Sequence, residues 1–316
     1  MTTTERWTTA ARRDAGRWWA RQPRDVRWVV GLGMVLLGSG LFHLGVFAVD
    51  GGPWEGPVSW RKPIVFGLSG GVTSLSLAWV MSLLPAGRRR ARLGAVYAWA
   101  MGLEVLLITL QRWRGVPSHF NRSTVFDGVV FNLMAVLILA VLVVTVLWTV
   151  DTWRARSLPP DAAAAARGGL LLLLAGHGVG IAIIVHANVL LLQGSAHDPA
   201  VFGAAGLLKI PHGLALHAIQ ALPMLAWLLG RTTEPASARA RWVRTAAAGY
   251  ALLLGFALLQ AFSGRPPLEV TGLPAAVAGL GTLGLATPFA VAFGRLLVAR
   301  GGREGPVACA GRGGAA

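Results

Sequence analysis

Apolar stretches of about 20 residues recur along the whole chain, and that is the length a helix needs to cross a hydrocarbon core of about 30 Å. Eight are predicted, at 26–49, 62–84, 92–111, 126–150, 168–193, 211–230, 243–262 and 272–298 of the 316 residues. Charged residues make up only 13%, against about 25% in soluble domains, and mean hydropathy is +0.59. The expected fold class is therefore all-α, a polytopic membrane protein of eight spans with a lipid bilayer as its surroundings. Nothing substantial is left over for a soluble domain.

A net charge of +16 would suggest nucleic acid as a partner in a soluble protein, so the placement of the charges decides their meaning. Of 29 basic residues, 22 fall in alternate loops: before helix 1, between helices 2 and 3, after helices 4 and 6, and after helix 8. The positive-inside rule makes that side cytoplasmic, which predicts both termini inside, an even number of spans and a bacterial plasma membrane location. The basic balance is a topology signal, and no nucleic-acid partner is expected. The segment 1–25 mixes Trp7, Trp18 and Trp19 with arginines, as suits the inner interface against anionic lipid. Residues 299–316 form a Gly-rich tail holding the sole cysteine, Cys309, so disulfides and cysteine metal sites are not expected. No short apolar h-region with a cleavage site precedes helix 1, so the amino terminus is expected to be retained.

The two halves of the chain repeat one another. His43, Asp50 and Gly51 recur at identical spacing as His186, Gln193 and Gly194. Lys62 and Pro63 open one helix, and Lys209 and Pro211 open another, with Ser69 and His217 six residues past each proline. Gln111, Gly115 and Pro117 recur at identical spacing as Gln260, Gly264 and Pro266. Two transmembrane halves are predicted, 26–150 (helices 1–4) and 168–298 (helices 5–8). Each has an even number of spans, so both run the same way through the bilayer, related by a pseudo-twofold along the membrane normal.

Ionisable side chains in hydrocarbon are costly and need a partner or a purpose. Counted inward from the outer helix ends at about 1.5 Å per residue, His43, Ser69, Glu104, Asn132, His186 and His217 share one level about 10 Å deep. His217, Gln220 and Met224 make one helical stripe, as do Glu104 and Gln111. The loop from Gln111 to Arg122, which contains His119, is polar and aromatic enough to fold down as a lid, and His212 at the mouth of helix 6 is placed to join it.

Three readings of this layer are open. In the first it holds a cofactor, haem b or a transition metal, with His43, His186 and His217 as ligands, Glu104 as ligand or proton partner, and electron transfer to an outer-side redox partner as the role. The pair His43 and His186 would supply the haem axial ligands. Ser69, Gln111, His119, Asn132, His212 and Gln220 would line the site. In the second, the layer is a proton or small-solute path in a transporter or channel. In the third, it is interhelical glue without a cofactor.

No Walker loop, dinucleotide fingerprint, His-Glu-x-x-His or nucleophile elbow occurs, so no reaction is assigned. Glu104 reads as the lone intramembrane acid, which argues against paired-carboxylate chemistry. The stretches Arg114-Gly115-Val116-Pro117-Ser118-His119-Phe120-Asn121, Arg61-Lys62-Pro63-Ile64-Val65-Phe66 and Pro211 to Pro223 (PHGLALHAIQALP) resemble a set of uncharacterised multi-spanning bacterial membrane proteins. That resemblance covers helices 2 to 6 and implies a bacterial membrane protein, with no assigned activity.

Overall fold

Hydrocarbon offers a backbone no hydrogen-bond partners, so each apolar stretch closes its own N–H and C=O groups into one long helix. The computed structural model describes residues 16, 19–194, 198 and 200–301. Among them are eight helices long and apolar enough to cross a membrane. These are α1 (Arg24–Asp50), α2 (Arg61–Leu83), α3 (Arg88–Trp113), α4 (Val125–Arg154), α5 (Pro160–Leu192), α6 (Lys209–Leu229), α7 (Ala236–Phe262) and α8 (Gly272–Gly301). A hairpin of two short strands, β1 (Val201–Phe202) against β2 (Gly206–Leu207), sits between α5 and α6. Most of the basic segment 1–25, and the tail after residue 301 with Cys309, lie outside the described residues.

The spans fall where hydropathy places them, but two helices start earlier. Helix α5 begins at Pro160 rather than 168, and α7 at Ala236 rather than 243. The added turns, Asp161 to Arg167 and Ala236 to Trp242, are rich in alanine and arginine. Those residues favour helix strongly while lowering hydropathy, so a window tuned to lipid misses them.

Close backbone approach holds each pair together. Helix α1 lies along α2, and the Cβ that Gly67 lacks would stand 2.7 Å from the Gly40 amide nitrogen. One on Gly71 would stand 2.8 Å from the Gly33 carbonyl oxygen. Helix α5 lies along α6 in the same manner: a Cβ on Gly169 would meet Ile219 Cα at 3.0 Å, and one on Gly176 the Leu216 amide nitrogen at 3.3 Å. Small residues at such seams bring helices within van der Waals reach where no hydrophobic force drives them together.

Helix α3 then packs on α1, α2 and α4, and α7 packs on α5, α6 and α8. The two sets meet where α2 touches α6 and where α4 touches α5. Ion pairs pin the ends opposite the His43 level. Asp25 in the first turn of α1 accepts from Arg90 Nε and Nη2 at 2.8 and 3.1 Å, and Arg90 Nη1 donates to the Leu84 carbonyl at 2.8 Å. Asp161 in the first turn of α5 accepts from Arg239 Nε at 2.6 Å, and Arg239 Nη1 donates to the Glu234 carbonyl at 2.7 Å. Arg90 therefore ties the ends of α1, α2 and α3, while Arg239 ties the start of α5 to the start of α7 and the loop before it.

These contacts fix a register. Asp25, Gly33 and Gly40 each precede their packing counterparts Asp161, Gly169 and Gly176 by 136 residues. By that register His186 stands level with Asp50, not with His43. It lies seven residues, about 10 Å, farther toward the C-terminal end of its helix. The sequence pairing of His43 with His186 is thus displaced by two helical turns, because α5 is the longer helix and the two are pinned at the opposite end.

Gly67→Ala is expected to lower the thermal unfolding midpoint of the detergent-purified protein, at a cost of ~1–3 kcal/mol from overpacking. Gly38→Ala, where a Cβ would meet nothing within 4 Å, should leave the midpoint unchanged or slightly higher.

Candidate functional site

The C-terminal end of α3 carries Gln111, Arg112, Trp113 and Arg114 in succession, and at about 100° per residue they point in different directions. Two of them close the site toward α1 and α2. Trp113 Nε1 donates to His43 Nε2 at 3.0 Å, so His43 Nδ1 carries the hydrogen and donates to the Ser39 carbonyl at 2.7 Å. Both ring nitrogens of this buried imidazole are therefore engaged. Trp60 packs edge-on to Trp113, with ring centroids 5.1 Å apart, and its Nε1 donates to Asp50 Oδ2 at 2.5 Å. The Arg112 guanidinium lies 3.7 Å from the Trp60 ring centroid, and its Nη2 is 3.7 Å from Asp50 Oδ2. A cation over an indole contributes about 0.5–1 kcal/mol where exposed and more when desolvated.

The other two close it toward α4, around Asp127. Its carboxylate, 1% exposed, accepts from Gln111 Nε2 at 3.0 Å, Arg114 Nη1 at 2.7 Å, Thr124 Oγ1 at 2.7 Å and Ser123 Oγ at 3.2 Å. Arg114 also donates to Gln111 Oε1. Thr124 in turn caps α4 by accepting from the Asp127 amide at 3.1 Å. A carboxylate with four donors is fully satisfied, and it fixes the spacing of the outer ends of α3 and α4.

The loop between them is partly buried, with Ser118 and Asn121 turned away from solvent. Asn121 Nδ2 donates to the Pro117 carbonyl at 3.2 Å, and its Oδ1 accepts from Ser123. The half-buried His119 ring lies 5.8 Å from the Phe66 ring of α2, and Ser118 Oγ is 2.9 Å from His119 Nδ1. Burial, and then the neighbouring Lys62 charge, lowers His119 from 6.5 to about 4.

Glu104 lies on α3 seven residues before Gln111 and is 1% exposed, with Oε2 buried and without a hydrogen-bond partner. The remaining expected ligands are dispersed. His186 packs on Phe202 of the hairpin, with centroids 5.4 Å apart. His217 is exposed on α6, its Nδ1 3.2 Å from Gln220 Oε1, and the Gln220 amide reaches Thr73 of α2 at 3.1 Å. His212 does not join the lid: its Nδ1 lies 2.8 Å from the Gly176 carbonyl of α5. Ser69 is half-buried, and Asn132 is exposed on the outer surface of α4. Among the described residues no group of three His, Cys, Asp or Glu side chains is arranged to hold a metal ion.

Two features escaped the sequence reading. Asp127 is buried in α4, as is Asp161 in the first turn of α5, so Glu104 is not the lone acid in these helices. The signal for Asp127 was present as Thr124-Val125-Phe126-Asp127, a threonine cap followed three residues later by an acid. The Trp113 bond to His43 had no sequence signal, since tryptophans near helix ends ordinarily mark the interface. No family model, curated protein or solved structure matches the chain.

Asp127→Ala is expected to cost about 1–3 kcal/mol in thermal unfolding, because Gln111 and Arg114 are left without their acceptor. Between pH 6.5 and about 4 the unfolded loop binds a proton at His119 and the folded one does not. This contribution is present in full above pH 6.5 and is lost as pH falls toward 4. Wild type should therefore lose more thermal stability than His119→Gln when both are moved from pH 7 to pH 5.

Proposed function

We propose that the chain is a proton-coupled transporter of the bacterial plasma membrane, with both termini cytoplasmic and two parallel four-helix halves, in which Glu104 takes up and releases the proton. The observation that carries this reading is the Glu104 side chain, buried in a span with Oε2 unpartnered. An ionisable group left so in hydrocarbon is costly, and proton relays are where membrane proteins keep such groups. Glu104 lies about 10 Å below Gln111 on one helical face, under the two clasps at His43 and Asp127, and release of these clasps would open Glu104 to the outer side.

The parallel halves draw support from packing as well as spacing. Each half has the same neighbours in the same order, and the halves meet through their second helices, α2 and α6, as well as where α4 runs on to α5. Helix α3 ends at Gly115 with φ +72° and α7 at Gly264 with φ +66°. In each, the next residue's amide bonds back to the glutamine carbonyl, Val116 to Gln111 at 3.1 Å and Arg265 to Gln260 at 3.0 Å. The inner-outer assignment rests on the arginine-rich loops.

A haem or metal centre with an electron-transfer role has weaker support. His43 has both nitrogens engaged, His217 is exposed on α6, and His186 is two turns out of register. Purified protein reconstituted in liposomes with an internal pH-sensitive dye tests the proposal. Wild type should pass protons under an imposed gradient, and Glu104→Gln should abolish the flux while remaining folded by thermal melt. Equal flux in both, or a wild type that is silent to protons and carries a Soret band or stoichiometric metal, would overturn it.

A further inference from the structure

Arginines outnumber lysines 27 to 2 in this chain, and the two lysines stand at corresponding places, Lys62 in the first turn of α2 and Lys209 at the start of α6. Helices α2 and α6 touch, and Gln220 of α6 reaches Thr73 of α2 at 3.1 Å, with each of these residues eleven positions past its helix's lysine, so the two lysines stand in register at the ends of this seam. Lys62 lies within Coulombic range of Arg61, Lys209 and Asp198, and His119 within range of Lys62. The sole acid at the centre, Asp198, is held by Lys209 Nζ at 2.9 Å. Glu55 reaches Arg61 Nη2 at 3.3 Å from an exposed position, while Arg61 Nε is buried without a hydrogen-bond partner. Lys62 makes no hydrogen bond or ion pair among the described residues and is half-buried.

This arrangement is electrostatically unfavourable as it stands. Three cations face one central acid at two helix starts that have neither a side-chain cap nor an acidic residue in the first turn. Each start adds about half a positive charge of its own. The uncompensated Lys62 and two helix ends together leave an excess close to that of a phosphate dianion. Few backbone donors are free at these starts, since the Lys62 amide donates to the Ser59 carbonyl at 3.3 Å and Pro63 and Pro211 have no N–H, so the side-chain cations supply the donors such a group takes. Lysine suits the place because its compact ammonium acts as a point charge, whereas a guanidinium needs room for a planar fork.

We propose that Lys62 and Lys209, with Arg61, form an anion site at the outer end of the α2–α6 seam that takes a phosphate-type group, either free phosphate or the headgroup of an anionic lipid. Asp198 holds Lys209 in place and leaves Lys62 to meet the anion. His119, uncharged near neutral pH, lies beside the site and adds no competing cation.

The test uses the full-length protein and does not depend on transport. Inorganic phosphate is titrated in neutral detergent, with thermal midpoint and calorimetry as readouts, against chloride at matched ionic strength. Phosphate should raise the midpoint of wild type. Lys62→Gln should weaken the affinity ~10-fold, the effect of losing one charged hydrogen bond. Lys62→Arg should retain part of it, and Arg122→Gln, a cation elsewhere on the outer loops, should retain all of it. If phosphate has no effect but phosphatidylglycerol nanodiscs stabilise wild type over phosphatidylcholine ones, and Lys62→Gln loses that difference, the occupant is a lipid headgroup. Equal responses in wild type and Lys62→Gln, an effect matched by chloride, or no response in either format would overturn the proposal.

Discussion

The close seam between α1 and α2 sets the geometry on which the rest of half 1 depends. Gly33, Gly40, Gly67 and Gly71 let two backbones touch, so the helices cannot slide without a clash or a void. Lipid tails are as apolar as leucine, and only close contact distinguishes helix from lipid as a neighbour. With that register set, the first turn of α1 brings Asp25 to Arg90 and the upper part brings His43 to Trp113. The α5–α6 seam does the same for Asp161 and Arg239, but α5 continues farther and carries His186 to the hairpin.

Polar groups in the spans divide by whether they are satisfied. Asp25, Asp127 and Asp161 each face an arginine, and in each case the pair fixes where helix ends stand relative to one another. Losing one partner from such a pair leaves a buried charge, which is why they act as fixed points. Glu104 lies deeper, on a helix held at both ends, with an oxygen that bonds to nothing. Within one helix, Gln111 is bonded to Asp127 while Glu104 keeps an unpartnered oxygen.

Much of the fold was legible in the sequence because lipid imposes a simple length and hydropathy rule. All eight helices could be read this way, and the largest errors fell at helix starts such as Pro160 and Ala236, where alanine and arginine prolong a helix outside the apolar window. The candidate site was less legible. Matching depths of His43, Glu104, His186 and His217 suggested a layer, yet depth measured from helix ends ignores rotation and unequal helix length. His217 turned to an exposed face, and His186 packs on Phe202 of the hairpin. Asp127 was passed over because it sits at a helix start, where an acid ordinarily only caps.

The sequence by itself determined the eight helices long and apolar enough to cross a membrane, because length and hydropathy are one-dimensional properties. It also carried the recurrent spacings, such as Gln111 with Gly115 and Gln260 with Gly264, which reappear as the same helix endings. Tertiary structure alone decided which polar groups meet. Trp113 on His43, four donors on Asp127 and the two lysines at one seam follow from the azimuth and register of neighbouring helices. Those are set by backbone contacts at glycines far along each chain segment, and no local pattern encodes them.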